Sequence, residues 1–454
     1  MLRIGSAEGF YGDDVTRALP MIEGGQVDVV CFEALSELTL AILRRDQMRD
    51  PKRGYTRDIE VIAERILPLA FARKVPLITN GGGLNPTGAA EVVRKAAERH
   101  GLQGLKIAIV TGDDLLARLG DLLAAGEALA NMETGAPLTL DGLPIVTANA
   151  YLGAKPVVDA LAQGADIVIT GRVADPCLYL APLIQGYGWA WDDWDKLASG
   201  IVCGHLLECT GQVVGGNSLA LLDEIAPADL ARLGYPIAEV ESDGSFVVTK
   251  TPGTPGRVSQ ATVKEQLLYE MHDPRAYITP DVVANITTLR LEDDGLDRVR
   301  VSGATGAPRT ETLKVNVARL EGYSRELIFT LGWPEVYRKE EQMRGMLATA
   351  WDGLPITRVE TQRMGQDSLF GPLVAAPNDP IELVVRVMFT ADDQETLKTA
   401  VRRAMALGLS GPAGMSVSGQ SVGADPRPLL GLWPALVSRA VVEPHVSVTV
   451  TEVA

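Results

Sequence analysis

The sequence predicts an α/β fold, a mostly parallel Rossmann-like layered sheet over residues 1–235, followed by a smaller α+β domain over residues 236–454. Three observations lead there. Short, branched apolar runs alternate with helical stretches through the first half. Each run is followed by a glycine or polar turn, as at the carboxyl ends of parallel strands. From about Pro227 the pattern changes to longer strand-like segments broken by Pro252, Gly253, Pro255 and Gly256, so a domain transition is expected between residues 225 and 240.

In order, the strands of the first domain are Leu2 to Ile4, Val27 to Cys31, Val75 to Thr79, Leu105 to Val110, Ile145 to Thr147 and Ile167 to Ile169. Each is too short and apolar for an independent helix. Between them, Ile59 to Arg73, Thr87 to His100 and Lys155 to Gln163 carry helical periodicity. In the second domain a helix from Ser259 to Met271 starts at Ser259 or Thr262 and ends before Pro274. Strands follow at Asn285 to Leu291, Arg298 to Val301, Thr312 to Arg319, Tyr323 to Thr330 and Ile381 to Phe389, with helices at Pro334 to Trp351 and Glu395 to Leu407. Leu429 to Val437 and Val446 to Val450 return to strand character.

With 42 basic and 58 acidic side chains, the net charge of −16 repels a phosphate backbone, so neither nucleic acid nor anionic membrane is an expected partner. No apolar run approaches the length of a membrane span, and a cytoplasmic protein is expected. The four cysteines, at 31, 177, 203 and 209, lack paired CxxC spacing and read as reduced core thiols.

In an open α/β sheet the loops at the strand ends converge on one rim, where ligands bind. Those loops hold Gly9 and Gly12, Glu33, Asn80 with Gly82 and Gly83, Asp113, and Arg172 with Asp175. Glycines there either present backbone N–H groups to an anion or permit tight packing. The order G-x-G-x-x-G is absent, as is the Lys-Ser/Thr pair of a P-loop. Arg172 suits a carboxylate or an acyl oxygen. Asp13-Asp14 and Asp113-Asp114 read either as helix caps or as Mg²⁺ ligands; no metal ligand is assigned.

His205 and Glu208 share a helix face at a spacing of three, where the carboxylate orients the imidazole; Asn217 closes the same stretch. Asp113, Asp175, His205 and Glu208 are the candidate proton handlers, and Gly9, Gly12, Glu33, Asn80, Gly82, Gly83, Arg172 and Asn217 the candidate binders. Tyr187, Trp189, Trp191 and Trp194 read as a cleft lining, a subunit contact or core.

The blocks GSAEGFYGDD, ITNGGGLNP, DIVITGRVADP, CGHLLECTGQVVGGN and VKEQLLYEMHDPRAYITPDVV resemble the acyclic terpene utilisation protein family over nearly the whole chain. The resemblance implies an accessory or uncharacterised enzyme in the breakdown of branched acyl-CoA compounds, such as those from citronellol and geraniol. It also implies a small additional domain or a separate companion subunit, which this chain is expected to lack. Three readings follow: a hydratase or lyase acting on a coenzyme A thioester or small carboxylic acid, a non-catalytic subunit requiring the companion, and a metal-dependent hydrolase. A homo-oligomer is expected.

Overall fold

The computed structural model describes all residues except Asp141, Val374, Ala376, Pro377 and Asp379, and the backbone alone of Pro372. The fold is mixed α/β with large sheets. Two compact units form: one from residues 1–139, 146–318 and 432–454, the other from 140–145 and 319–431. The compositional change at residues 225–240 thus lies inside the first unit.

The first unit is built on a ten-stranded sheet. Its centre is parallel: Leu2–Glu8, Val29–Phe32, Leu77–Thr79, Ile167–Thr170 and Lys106–Thr111 lie side by side in that order. Register is set by matched branched residues, with Val30 opposite Leu77 and Leu77 opposite Ile167. The three middle strands, Val29–Phe32, Leu77–Thr79 and Ile167–Thr170, are buried throughout, which explains their near-continuous apolarity.

The sheet is less parallel than the sequence suggests. On one side Pro236–Val240, Phe246–Lys250, Val299–Ser302 and Arg290–Asp293 extend it antiparallel, and on the other Ser447–Glu452 runs antiparallel to Lys106–Thr111. Strands from the chain's second half therefore complete the first unit's sheet. The expected fifth parallel strand is also not one. Ile145–Ala150 pairs with the long strand Thr312–Gly332, and the next residue, Tyr151, donates its backbone N–H to Lys314 O at 2.9 Å.

The helix expected at Ile59 to Arg73 forms, with one irregularity. Asp58–Val61 and Leu67–Arg73 are α-helical, joined by a π turn at Ile62–Ile66. Pro68 lacks the N–H that would bond Glu64 O, and a wider turn accommodates the lost bond. Ile59, Ile62, Ala63 and Ile66 face the core.

Helices Cys177–Tyr187 and Trp194–Glu208 are almost entirely buried. Glycine lets them approach: a Cβ on Gly204 would stand 2.5 Å from Pro176 O, and one on Gly200 would meet Leu180. This packing fixes the carboxyl end of the second helix, which carries His205 and Glu208.

In the second unit Ile356–Met364, Glu382–Ala391, the later part of Thr312–Gly332 and Met415–Val417 pair antiparallel. Alternate residues Leu327, Phe329, Leu331 and Val385, Val387, Phe389 pack against helices Val336–Ala350 and Gln394–Met405, as a sheet with one covered face requires. Among the described residues no helix is long and apolar enough to cross a membrane.

Candidate functional site

Loops at the carboxyl ends of the parallel strands open onto a cavity of about 580 Å³ within the first unit. Gly9 follows the first strand, Glu33 the second and Arg172 the strand ending at Thr170; all three line the cavity, with Asp175, His205 and Glu208. The far walls come from later sequence, among them Tyr269, Glu270, Tyr277 and Lys314. Phe10, Leu35, Met132, Leu313 and Leu436 give the lining an apolar part.

Two expected rim residues stand behind the wall. Asn80 is fully buried; its Nδ2 donates to Glu33 Oε1 at 2.9 Å and its Oδ1 accepts from Ala34 N at 2.7 Å. Glu33 also accepts from Leu35 N at 2.7 Å. Burial, reinforced by the negative charge of Asp175, pushes the Glu33 carboxyl well above its usual range, against the pull of Arg172 and these donors. Burial thus favours the protonated form of the Glu33 carboxyl.

Asp113 plays the same part for Arg172. Its Oδ2 accepts from Arg172 N at 2.8 Å and from Asn149 Nδ2 at 2.9 Å. Gly171 makes room, since a Cβ there would lie 2.3 Å from Asp113 Oδ1. Burial pushes the Asp113 carboxyl up to about 6, over the downward pull of those donors. A carboxyl raised on folding contributes stability that is complete below its unfolded value of about 4 and is lost as pH rises through the folded value. The unfolding free energy of the wild type minus that of Asp113→Asn should therefore fall between about pH 4 and 6 and level off above; chemical denaturation showing a flat difference would contradict this.

The Arg172 guanidinium, itself buried, pairs with Asp175 through both of its terminal nitrogens and lies over the Tyr151 ring, 4.1 Å from its centroid. Tyr151 OH donates to Glu37, which also pairs with Lys314 at 3.1 Å. Burial would raise the Glu37 carboxyl, but the Tyr151 hydroxyl and the Lys314 charge outweigh it and lower it to about 2. Tyr151, Glu37 and Lys314 escaped the sequence reading. Only the alternation of Lys314 between Leu313 and Val315 in a strand marks it as outward-facing.

His205 Nδ1 lies 2.9 Å from Glu208 Oε1, and its backbone carbonyl accepts from Gln266 Nε2 at 2.9 Å. The Tyr277 ring leans on the imidazole at a centroid distance of 5.5 Å. His205 Nε2 and Glu208 Oε2 are buried without a hydrogen-bond partner. Burial disfavours the imidazolium, but the hydrogen bond and charge of Glu208 prevail and raise His205 above its ordinary value. His205 thus lines the cavity with Nδ1 anchored by Glu208, and its Nε2 is buried with the Leu267 backbone carbonyl nearby, which adds to the upward shift.

The other expected residues fall elsewhere. Gly82 packs against Thr170 O, and Gly83 takes a φ of +53° beside Leu43, so the glycine run serves close packing. Gly12 N donates to Asp58 Oδ2 at 2.9 Å, outside the cavity lining. Asn217, at φ 56°, lines a neighbouring cavity of about 510 Å³ that shares Gly9, Phe10, Cys209 and Tyr269 with the first. Asp13 accepts from Gly9 N and Thr210 Oγ1, both at 3.0 Å, and Asp14 caps Thr16 N, so both act as acceptors for local donors. Among the described residues no three His, Cys, Asp or Glu side chains are grouped to hold a metal ion. Trp189 stacks on Tyr187 and donates to Ser242 O at 3.0 Å; the aromatic run does not line the cavity.

The family model of the acyclic terpene utilisation family protein AtuA matches residues 2–448. No curated protein and no solved structure matches the chain. A match over nearly the full length makes the chain a member of the acyclic terpene utilisation AtuA family.

Proposed function

We propose that the chain is an enzyme that adds or removes water on a small or branched carboxylic acid or its coenzyme A thioester, with His205 as base and Glu33 as acid. The observation that carries this reading is His205 in the cavity lining, its Nδ1 anchored by Glu208 and its Nε2 buried with no hydrogen bond of good geometry. A candidate base and a candidate acid lining one cavity are what such a reaction needs. In the dehydration direction, His205 Nε2 takes the proton from the carbon beside the carbonyl. The bond to the neighbouring hydroxyl breaks, and that oxygen leaves as water with the Glu33 proton while the double bond forms. Arg172 donates toward the carbonyl oxygen as charge builds there. The apolar wall of Phe10, Leu35, Met132 and Leu436 accommodates the hydrocarbon part.

The test is turnover of branched 2-enoyl and 3-hydroxyacyl substrates, as thioesters and as free acids, followed by the enoyl absorbance and by deuterium incorporation from solvent. Turnover of one class with deuterium at the carbon beside the carbonyl is expected. Absence of both turnover and binding across the panel would remove the reading.

A further inference from the structure

The second unit has a cavity of its own, of about 280 Å³, which the reaction above does not use. In the strand pair of Thr312–Gly332 with Glu382–Ala391, Ile328 stands opposite Arg386 and Glu326 opposite Met388, so Glu326, Ile328, Arg386 and Met388 share one sheet face. Arg325 and Arg427 join that lining. On a chain of net charge −16, a lining with three arginines and two carboxylates, Glu326 and Asp425, is a local reversal of sign.

The three arginines differ in how their charge is met. Arg386 is committed to Glu326 at 2.6 Å. Arg325 is 7% exposed and held by backbone alone: its terminal nitrogens donate to the carbonyls of Ala424 and, at 2.9 Å, Val422. Its Nε is buried without a partner, and no carboxylate among the described residues reaches ion-pair distance of it. The Arg427 side chain is exposed and makes no hydrogen bond or ion pair among the described residues. Burial, with the nearby charge of Arg427, pulls the Arg325 guanidinium below its ordinary value despite Asp425 and Glu326. A buried guanidinium with a spare donor, next to a second unpaired one, is the arrangement that an incoming oxyanion satisfies.

We propose that this cavity binds one phosphate-type oxyanion, as the free ion or as the terminal phosphoryl group of a small ester, between Arg325 and Arg427. The volume suits a phosphate with a few further atoms, and guanidiniums bind such an ion through paired N–H···O bonds.

The experiment is calorimetric titration of the full chain with inorganic phosphate, ethyl phosphate and acetate at matched ionic strength in chloride, repeated on Arg427→Gln, Arg325→Lys and His205→Asn. The exposed Arg427 side chain has no partner to lose, so that variant is expected to fold as the wild type does. Saturable binding of one phosphate is expected, weakened about tenfold or more in Arg427→Gln, weakened in Arg325→Lys and unchanged in His205→Asn. Ethyl phosphate binding within about tenfold of phosphate assigns the site to a phosphoryl terminus, and phosphate binding alone assigns it to the free ion. Four results would overturn the proposal: no saturable binding above the chloride control, equal affinity in Arg427→Gln, loss in His205→Asn, or acetate binding as tightly as phosphate.

Discussion

His205→Asn is expected to lower kcat about 100- to 10,000-fold, the span that a positioned general base contributes, while ligand affinity changes little. The asparagine keeps a polar group near Glu208 but removes the Nε2 ring nitrogen. Glu208→Gln separates this role from packing. Glu208 is what raises His205, so without its charge the imidazole loses its proton at lower pH. If His205 acts as a base, the acidic limb of the kcat/KM profile should move to lower pH in Glu208→Gln, with a reduced plateau because the ring is less firmly oriented. An unmoved limb, or His205→Asn retaining wild-type kcat, would remove His205 from the chemistry.

The second large effect concerns stability. Gly82→Ala should cost about 1–3 kcal/mol, the usual range for overpacking, because the added Cβ would meet Thr170 O at 2.5 Å and Pro86 Cα at 3.0 Å. Both are backbone atoms, one at the end of the strand that precedes Arg172 and the other at the start of helix Pro86–Arg99, so neither yields by a rotamer change. Gly12→Ala is the control: its φ of +95° strains any side chain, but nothing lies within 4 Å of the new atom, leaving a conformational cost of about 1 kcal/mol. Denaturation midpoints should rank wild type, Gly12→Ala, then Gly82→Ala. Equal midpoints for wild type and Gly82→Ala would refute the close-packing account of the glycine run.

That contrast marks where the sequence was legible and where it was not. The parallel strands were visible because burial on both faces leaves an uninterrupted apolar signature at Val29–Phe32, Leu77–Thr79 and Ile167–Thr170. Ile145–Ala150 bears similar letters but pairs elsewhere, since apolarity reports burial and not the identity of the neighbour. Ser447–Glu452 is a lone strand at the chain's end, and nothing local says that it completes a sheet begun at residue 2. His205 and Glu208 were legible because a helix brings residues three apart together. Asn80 and Asp113 were expected to face a ligand and instead hold Glu33 and Arg172 from behind; composition cannot distinguish a wall from its support. Tyr151, Glu37 and Lys314 meet only after strands distant in sequence have paired, so no spacing rule could assemble them.

The most direct test of the central claim is a crystal structure of the chain soaked with whichever acyl thioester or carboxylic acid binds most tightly in solution. The account requires density in the cavity lined by Glu33, Arg172 and His205, with the carbon beside the carbonyl in reach of His205 Nε2, at about 3–3.5 Å, and the Glu33 carboxyl on its other side. Saturating ligand found away from that cavity, or seated in it with His205 turned from the reacting carbon, would contradict the account.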